Sequence, residues 1–336
     1  MCTSCRINLS RRAVLGGMVA AAGLAVAGRF APASAGAAEC WTPADLAGTP
    51  AEKLERRPTA ADAFAMPEPA SAGPAVAGGL AGVIRRVNLP AGDKTIALTF
   101  DLCQTRSPIA GYDAAIVDYL RANLIPATFF LSGRWLETHG TRAAQLVADP
   151  QFAVGNHSFD HPDLHNATMG KVASEILLTE TSLDRTRAAA SEVCGRKIAA
   201  PEVRLFRFPY GSCGGSGIAE ANGVGSVVIQ WDTVSGDPDG TSAAEIERNV
   251  MREVKAGSIV VMHANGRGTH TAEALATLVP RLRAEGFRFA TVPELLLAGV
   301  PEPAASCYIE KPGDTLRYDD GIAGHTKTPT LAGKAA

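Results

Sequence analysis

Two histidines four positions apart, His157 and His161, are the first residues in this sequence able to share one task. At i and i+4, a helical or tight-turn backbone can present both imidazoles to a single metal ion. Asp101 closes the apolar run Leu98-Thr99-Phe100. Beside a metal, its carboxylate can take a proton from a water whose pKa the ion lowers toward ~7. His263 closes a second apolar run, Ile259-Val260-Val261-Met262. An imidazole titrates near neutrality and can give its proton to a leaving amine. Arg207, just before Phe208-Pro209, offers two parallel N–H donors that can orient a carboxylate. Each residue also has a bland use: a turn cap, a backbone-bonded core histidine, or a surface ion pair worth little. Their shared position decides between the two readings.

That position is the end of strands. Strand-like runs fall at 95–100, 127–131, 152–155, 204–206, 226–230, 258–262 and 287–291, with helical patterns at 112–123, 169–189, 243–255 and 272–285 between most of them. The last helix carries Leu275, Leu278, Val279 and Leu282 at the 3–4 spacing of a buried stripe. Alternating strands and helices predict a parallel α/β sheet, and Ile259-Val260-Val261-Met262 is apolar on both faces, as a helix-covered strand requires. A barrel and an open doubly wound sheet both fit this pattern; no Gly-rich dinucleotide loop follows the first strand, which removes the commonest reason for the open form. Polar segments follow five of the strands, and barrels build their sites from the carboxyl ends of strands.

The flanks point to the compartment. Ser10-Arg11-Arg12, an apolar run at 13–27 and Ala33-Ser34-Ala35 make 1–35 a twin-arginine export signal. The run is too short and Gly/Ala-rich for a spanning helix, so no stable membrane insertion is expected after cleavage, and the mature chain is expected to be periplasmic or extracellular. Residues 1–35 hold four Arg and no acid, so cleavage moves the formal net charge from −2 to −6. That balance leaves no electrostatic footprint for nucleic acid. Five cysteines remain, an odd number, in a compartment that favours disulfides. Residues 36–90, rich in Pro, Ala and Gly, read as a partly ordered lead-in, and 300–336 as a polar C-terminal tail.

Taken in order, the five polar segments resemble the motifs of the polysaccharide deacetylase family, the NodB homology domain of carbohydrate esterase family 4. The family patterns are TFDD, H-S/T-x-x-H, R-x-P-Y, D-x-x-D-W and L-x-H. Here they correspond to Thr99-Phe100-Asp101-Leu102-Cys103, His157-Ser158-Phe159-Asp160-His161, Arg207-Phe208-Pro209-Tyr210, the stretch from Asp232 to Asp237, and Val261-Met262-His263. The resemblance spans 91–299. It implies a distorted (β/α)7 barrel and a metal-dependent hydrolase that removes N-acetyl groups from an N-acetylhexosamine polymer or oligomer. It also implies a divalent ion, zinc in the first instance, on His157 and His161. Asp101 would be the base, Arg207 its orienting partner, and His263 the acid. The backbone N–H of Tyr210 would be an oxyanion donor.

Two departures qualify the match. Leu102 stands where the family has its third metal ligand, and on an extended strand it points away from the side shared by Asp101 and Cys103. Asp160, Asp101 or Cys103 are the available substitutes; as a thiolate, Cys103 would favour zinc. The alternative for Cys103 is a disulfide with Cys213, three residues past Tyr210, and the exported compartment makes that the preferred reading. In the fourth motif, the first Asp falls on Val234 and the Trp on Pro238, leaving Asp232 or Asp237 to support His263. Two further functions fit the same residues: a catalytically silent glycan-binding barrel and an amidase for non-sugar amides.

Overall fold

A computed structural model describes residues 40–307. The export signal and the last part of the tail lie outside the described residues. Among those described, ten strands form one sheet: β1 Val83–Asn88, β2 Thr95–Leu102, β3 Ala127–Leu131, β4 Phe152–Asn156, β5 Arg204–Phe206, β6 Ser226–Ile229, β7 Thr233–Val234, β8 Ile259–His263, β9 Arg288–Phe289 and β10 Val300–Ala304. The order is β10-β1-β6-β5-β4-β3-β2-β8-β7, with β9 beside β2. All pairings are parallel except β1 with β10.

The chain itself joins the two ends of this order. Past Ile229, β6 runs directly into β7, which pairs with β8. A bridge between Arg86 and Ser258 ties β1 to the start of the same strand. The result is a curled, irregular barrel, as the family resemblance implies; the alternation of strands and helices predicts its parallel sheet.

Side-chain alternation along β2 sorts the packing. Ile96, Leu98, Phe100 and Leu102 pack outward against Ile116, Val117 and Leu120 of the helix Ala114–Ala122 and against Leu275, Leu278, Val279 and Leu282 of the helix Thr271–Ala284. Ala97 joins Phe130, Leu205, Ile229, Ile259 and Val261 in a separate inner cluster. Val292 and Leu295, from the helix Val292–Ala298, complete that cluster, and Val292 donates its N–H to Thr128 Oγ1 at 2.8 Å. Apolar side chains thus fill the inside of the barrel up to the level of Val261. Above that level the inward positions are polar.

The structure extends the barrel beyond 91–299 at both ends. β1 lies within the expected lead-in and β10 within the expected tail, and the two pair with each other. Pro301 and Pro303 hide β10 in the sequence, because proline removes a ladder donor; an edge strand tolerates that loss. The rest of the lead-in is ordered by contacts with other elements rather than by its own periodicity. Ala70 N–H bonds Leu177 O, Gly73 N–H bonds Val224 O, and Val76 N–H bonds Asn222 O. Arg142 reaches the carbonyls of Asp45, Leu46 and Ala47 and the Glu52 carboxylate.

Disulfides fasten both flanks. Cys40 pairs with Cys194 and Cys213 pairs with Cys307. The expected Cys103–Cys213 bond is therefore corrected: Cys213 is taken by the returning tail, and Cys103 is a free, buried thiol. A sequence separation of 154 between Cys40 and Cys194 leaves no local signal for such a pairing.

Candidate active site

The carboxyl ends of β2, β4, β5 and β8 converge on a cavity of about 120 Å³, roomy enough for an acetyl group and water. Asp101, His157, His161, Tyr210, Asp237 and His263 line it, with Cys103 among them. The sequence had marked all seven.

β2 and β8 set the first relationship. Asp101 and His263 are register partners on these adjacent parallel strands. A carboxylate oxygen of Asp101, the Cys103 sulfur and a ring nitrogen of His263 all lie within 4.8 Å of one another. Asp101 is fixed by Arg207, whose Nη1 donates to Oδ1 at 2.7 Å. The guanidinium is wholly buried, lies 4.0 Å from the centroid of the Phe130 ring, and donates through Nε to Ile229 O and through Nη2 to Gln230 O. A buried charge needs this combination of counter-ion and hydrogen bonds.

His157 and His161 follow β4 but stand on no helix. Ser158 and His161 take left-handed backbone, with φ 64° and 52°, which folds the segment so that both rings reach the cavity. Such φ values strain non-glycine residues and persist only where surroundings hold them. The holding groups come from the helix Met169–Cys194. Glu175 Oε2 accepts the N–H groups of Phe159 and Asp160 at 2.7 and 2.8 Å, and Asn156 donates to Glu180 Oε1 and Ile176 O. Sequence reading missed Glu175 and Asn156. A glutamate inside a long amphipathic helix gives no hint that it faces inward.

The His157 ring is set by its Nδ1, 2.9 Å from Arg207 O, which leaves Nε2 for the cavity. Neither His157 Nε2 nor His161 Nε2 has a hydrogen-bond partner, although both side chains are buried. Two buried, unpartnered imidazole nitrogens facing one space are a donor set for a divalent cation, so the residues present fit the metal that the motif implies. The electrostatics agree. Burial pushes the His157 imidazole down in pKa, but the Asp101 carboxylate and Cys103 more than offset it, so the ring sits above its ordinary value. Burial likewise raises the Cys103 thiol, yet His161 and His157 bring it well below its usual range. The pocket favours positive charge at the His157 ring.

His263 is held by Asp237, whose Oδ1 lies 3.0 Å from Nδ1. Burial lowers this imidazole, and the Asp237 carboxylate, joined by Cys103, more than reverses the effect, leaving it well above the ordinary value. Asp232 is corrected as a partner of His263. Its Oδ1 accepts the N–H of Ile259, and its Oδ2 the hydroxyl of Ser258. That is the opposite end of β8, four residues and about 13 Å from His263. The parallel register explains the choice: Val234 lies beside Val261, so three residues further on the chain reaches the level of His263.

Tyr210 also lies in left-handed backbone, at φ 59° and ψ 6°, with its ring against His161 at 4.6 Å. Of the substitutes for the missing ligand, Asp160 is taken by Arg106 and Arg134, and Asp101 by Arg207. Leu102 is fully buried in the outer core.

Polar side chains gathered over the filled interior of a parallel barrel define the class, a barrel enzyme. The chain belongs to the polysaccharide deacetylase family, whose model matches residues 88–228. It is 30% identical over 215 residues to the chitooligosaccharide deacetylase of Azorhizobium caulinodans, an overlap of 59% of this chain and 93% of that one. Among solved structures, the Bc1960 peptidoglycan N-acetylglucosamine deacetylase shares the fold at a TM-score of 0.55 and 24% identity, over 66% of this chain and 95% of that one. BA3943, a family 4 pseudoenzyme from Bacillus anthracis, superposes at a TM-score of 0.50 and 26% identity, over 64% of this chain and 68% of that one.

Proposed function

We propose that the protein is a metal-dependent carbohydrate N-deacetylase acting on an N-acetylhexosamine-containing polymer or oligomer. The observation that carries this reading is the adjacency of Asp101 and His263 at the ends of β2 and β8, each bound to its own buried partner. The chitooligosaccharide and peptidoglycan deacetylases among its relatives support the substrate class.

In this mechanism His157 and His161 would hold a divalent ion, zinc in the first instance, which would supply Lewis acidity. Asp101, kept oriented by Arg207, accepts the proton of the attacking water as its oxygen bonds to the carbonyl carbon. The Tyr210 N–H donates to the oxygen that becomes negative in the tetrahedral state. His263, protonated and oriented by Asp237, gives its proton to the amine nitrogen as the C–N bond breaks. Acetate and a free amine result.

Export of the mature chain fits the same reading. The two disulfides suit an oxidising compartment. Among the described residues, no helix is long and apolar enough to cross a membrane.

Acetate release from chitooligosaccharides and from N-acetylated peptidoglycan tests the proposal. Asp101→Asn and His263→Ala should each lower kcat by roughly 10²–10⁴-fold, the usual loss on removing a general base or acid. One specific observation favours a second reading, a silent glycan-binding barrel: Leu102 replaces a metal ligand, and a pseudoenzyme is among the similar structures. Glycan binding without acetate release under any divalent metal would establish it.

A further inference from the structure

The ligand position emptied by Leu102 has a neighbour able to fill it. β2 keeps its regular alternation through Leu102, so that side chain joins the outer core and the next inward position after Asp101 is Cys103. The Cys103 sulfur lies within 4.8 Å of a ring nitrogen of His157 and of His161, and those ligand atoms lie within 4.8 Å of each other. His157 Nε2 and His161 Nε2 are both buried and accept or donate no hydrogen bond.

The thiol is also placed to stay a thiol. It is the free cysteine among the described residues, the other four being joined in pairs, so it has no described partner for oxidation. Its backbone is pinned on both sides: Asn265 Nδ2 donates to Cys103 O at 2.9 Å, and the Gln104 N–H donates to Ser132 Oγ at 2.9 Å. With the His157 ring fixed by Arg207 O, two of the three donors are oriented before any ion arrives.

We propose that Cys103 is a metal ligand, and that Cys103, His157 and His161 form a Cys–His–His site selective for zinc or cobalt over magnesium, calcium and manganese. The proposal rests on the reading of His157 and His161 as ligands. A thiolate and two imidazoles form a soft donor set, and three protein ligands leave a fourth position open, as catalytic zinc sites require. Asp101, bonded to Arg207, is then released from ligand duty.

The test is a cobalt titration of the chelator-stripped, full-length protein. Cys2→Ser and Cys5→Ser are introduced so that those thiols contribute nothing. One cobalt per chain with a near-ultraviolet sulfur-to-cobalt charge-transfer band is expected. That band should vanish in Cys103→Ser and in His157→Ala. Cys103→Asp should bind cobalt without the band, which also shows that loss in the serine variant is not loss of fold. Cobalt bound by the parent and lost in His157→Ala, but with no sulfur band, would overturn the thiolate ligand while leaving the histidine pair standing. Failure of the parent to take up cobalt or zinc would overturn both.

Discussion

Asp237 grips His263 at two points: Oδ1 lies 3.0 Å from the ring Nδ1, and Oδ2 accepts the backbone N–H of the same residue at 2.7 Å. Thr271 Oγ1 donates to Oδ2 as well, at 2.7 Å. One carboxylate thus fixes both the ring and the strand end that carries it. Asp237→Asn keeps the shape and an acceptor but removes the charge that raises the pKa of the imidazole. Steady-state kinetics should show kcat lower by roughly 10²-fold with KM little changed, the behaviour of a positioned acid that has lost its support. Asp232→Asn should leave kcat within about twofold, since Asp232 sits some 13 Å along β8 from the ring. Equal losses in the two variants would contradict this assignment.

The Arg207–Asp101 pair is buried on both sides, so breaking it costs more than a surface ion pair. Arg207→Met leaves the carboxylate buried without its cation and should lower unfolding free energy by about 3–5 kcal/mol. Asp101→Asn retains an acceptor for the guanidinium and should cost less. In the double variant, denaturant titration should give a loss smaller than the sum of the singles, because the stranded charge is gone. Additive losses would mean that the 2.7 Å contact contributes no coupling.

What the sequence discloses is mostly what local chemistry writes into short segments. Strand ends such as Phe100-Asp101 and Met262-His263 announce themselves because a polar residue stops an apolar run that otherwise fits a helix-covered strand. His157 and His161 were legible for the same reason, although their i and i+4 spacing serves a left-handed loop rather than a helix. Long-range partnerships were not legible. Glu175 and Cys307 owe their roles to which chain segment arrives beside them, and β10 carries two prolines that disguise it as loop. Choosing Asp237 over Asp232 required the register of β7 on β8, which no single-segment pattern contains.

The Cys213–Cys307 bond closes a loop of 94 residues and ties the segment after Tyr210 to the end of β10. Removing a native disulfide of this kind costs about 2–5 kcal/mol. Cys307→Ser should therefore lower the denaturation midpoint. Hydrogen exchange should quicken first in β1 and β10, whose antiparallel ladder is the edge that the bond secures. Amides of β2 and β8, far along the sheet from that edge, should stay protected. Uniform loss of protection across the sheet would show that the bond stabilises the whole fold rather than its edge.

Asp232 gives the pH dependence its sign. Burial raises its pKa from 3.8 to about 6, against the pull of the Ser258 hydroxyl, Lys255 and the Ile259 N–H. Below about pH 4 the carboxyl is protonated in both folded and unfolded chains and contributes nothing to the difference. Between about pH 4 and 6 the folded chain binds the extra proton, so stability from this group falls as pH rises, by about 2–3 kcal/mol in all, and it is flat above. Asp232→Asn cannot titrate, and its amide can donate to Ser258 Oγ while its carbonyl accepts from Ile259 N–H. Urea titrations at pH 4, 5, 6 and 7 should therefore show the variant gaining on the parent steadily up to pH 6 and holding that gain at pH 7. A variant whose stability runs parallel to the parent over this range would place the Asp232 pKa in the ordinary carboxylate range.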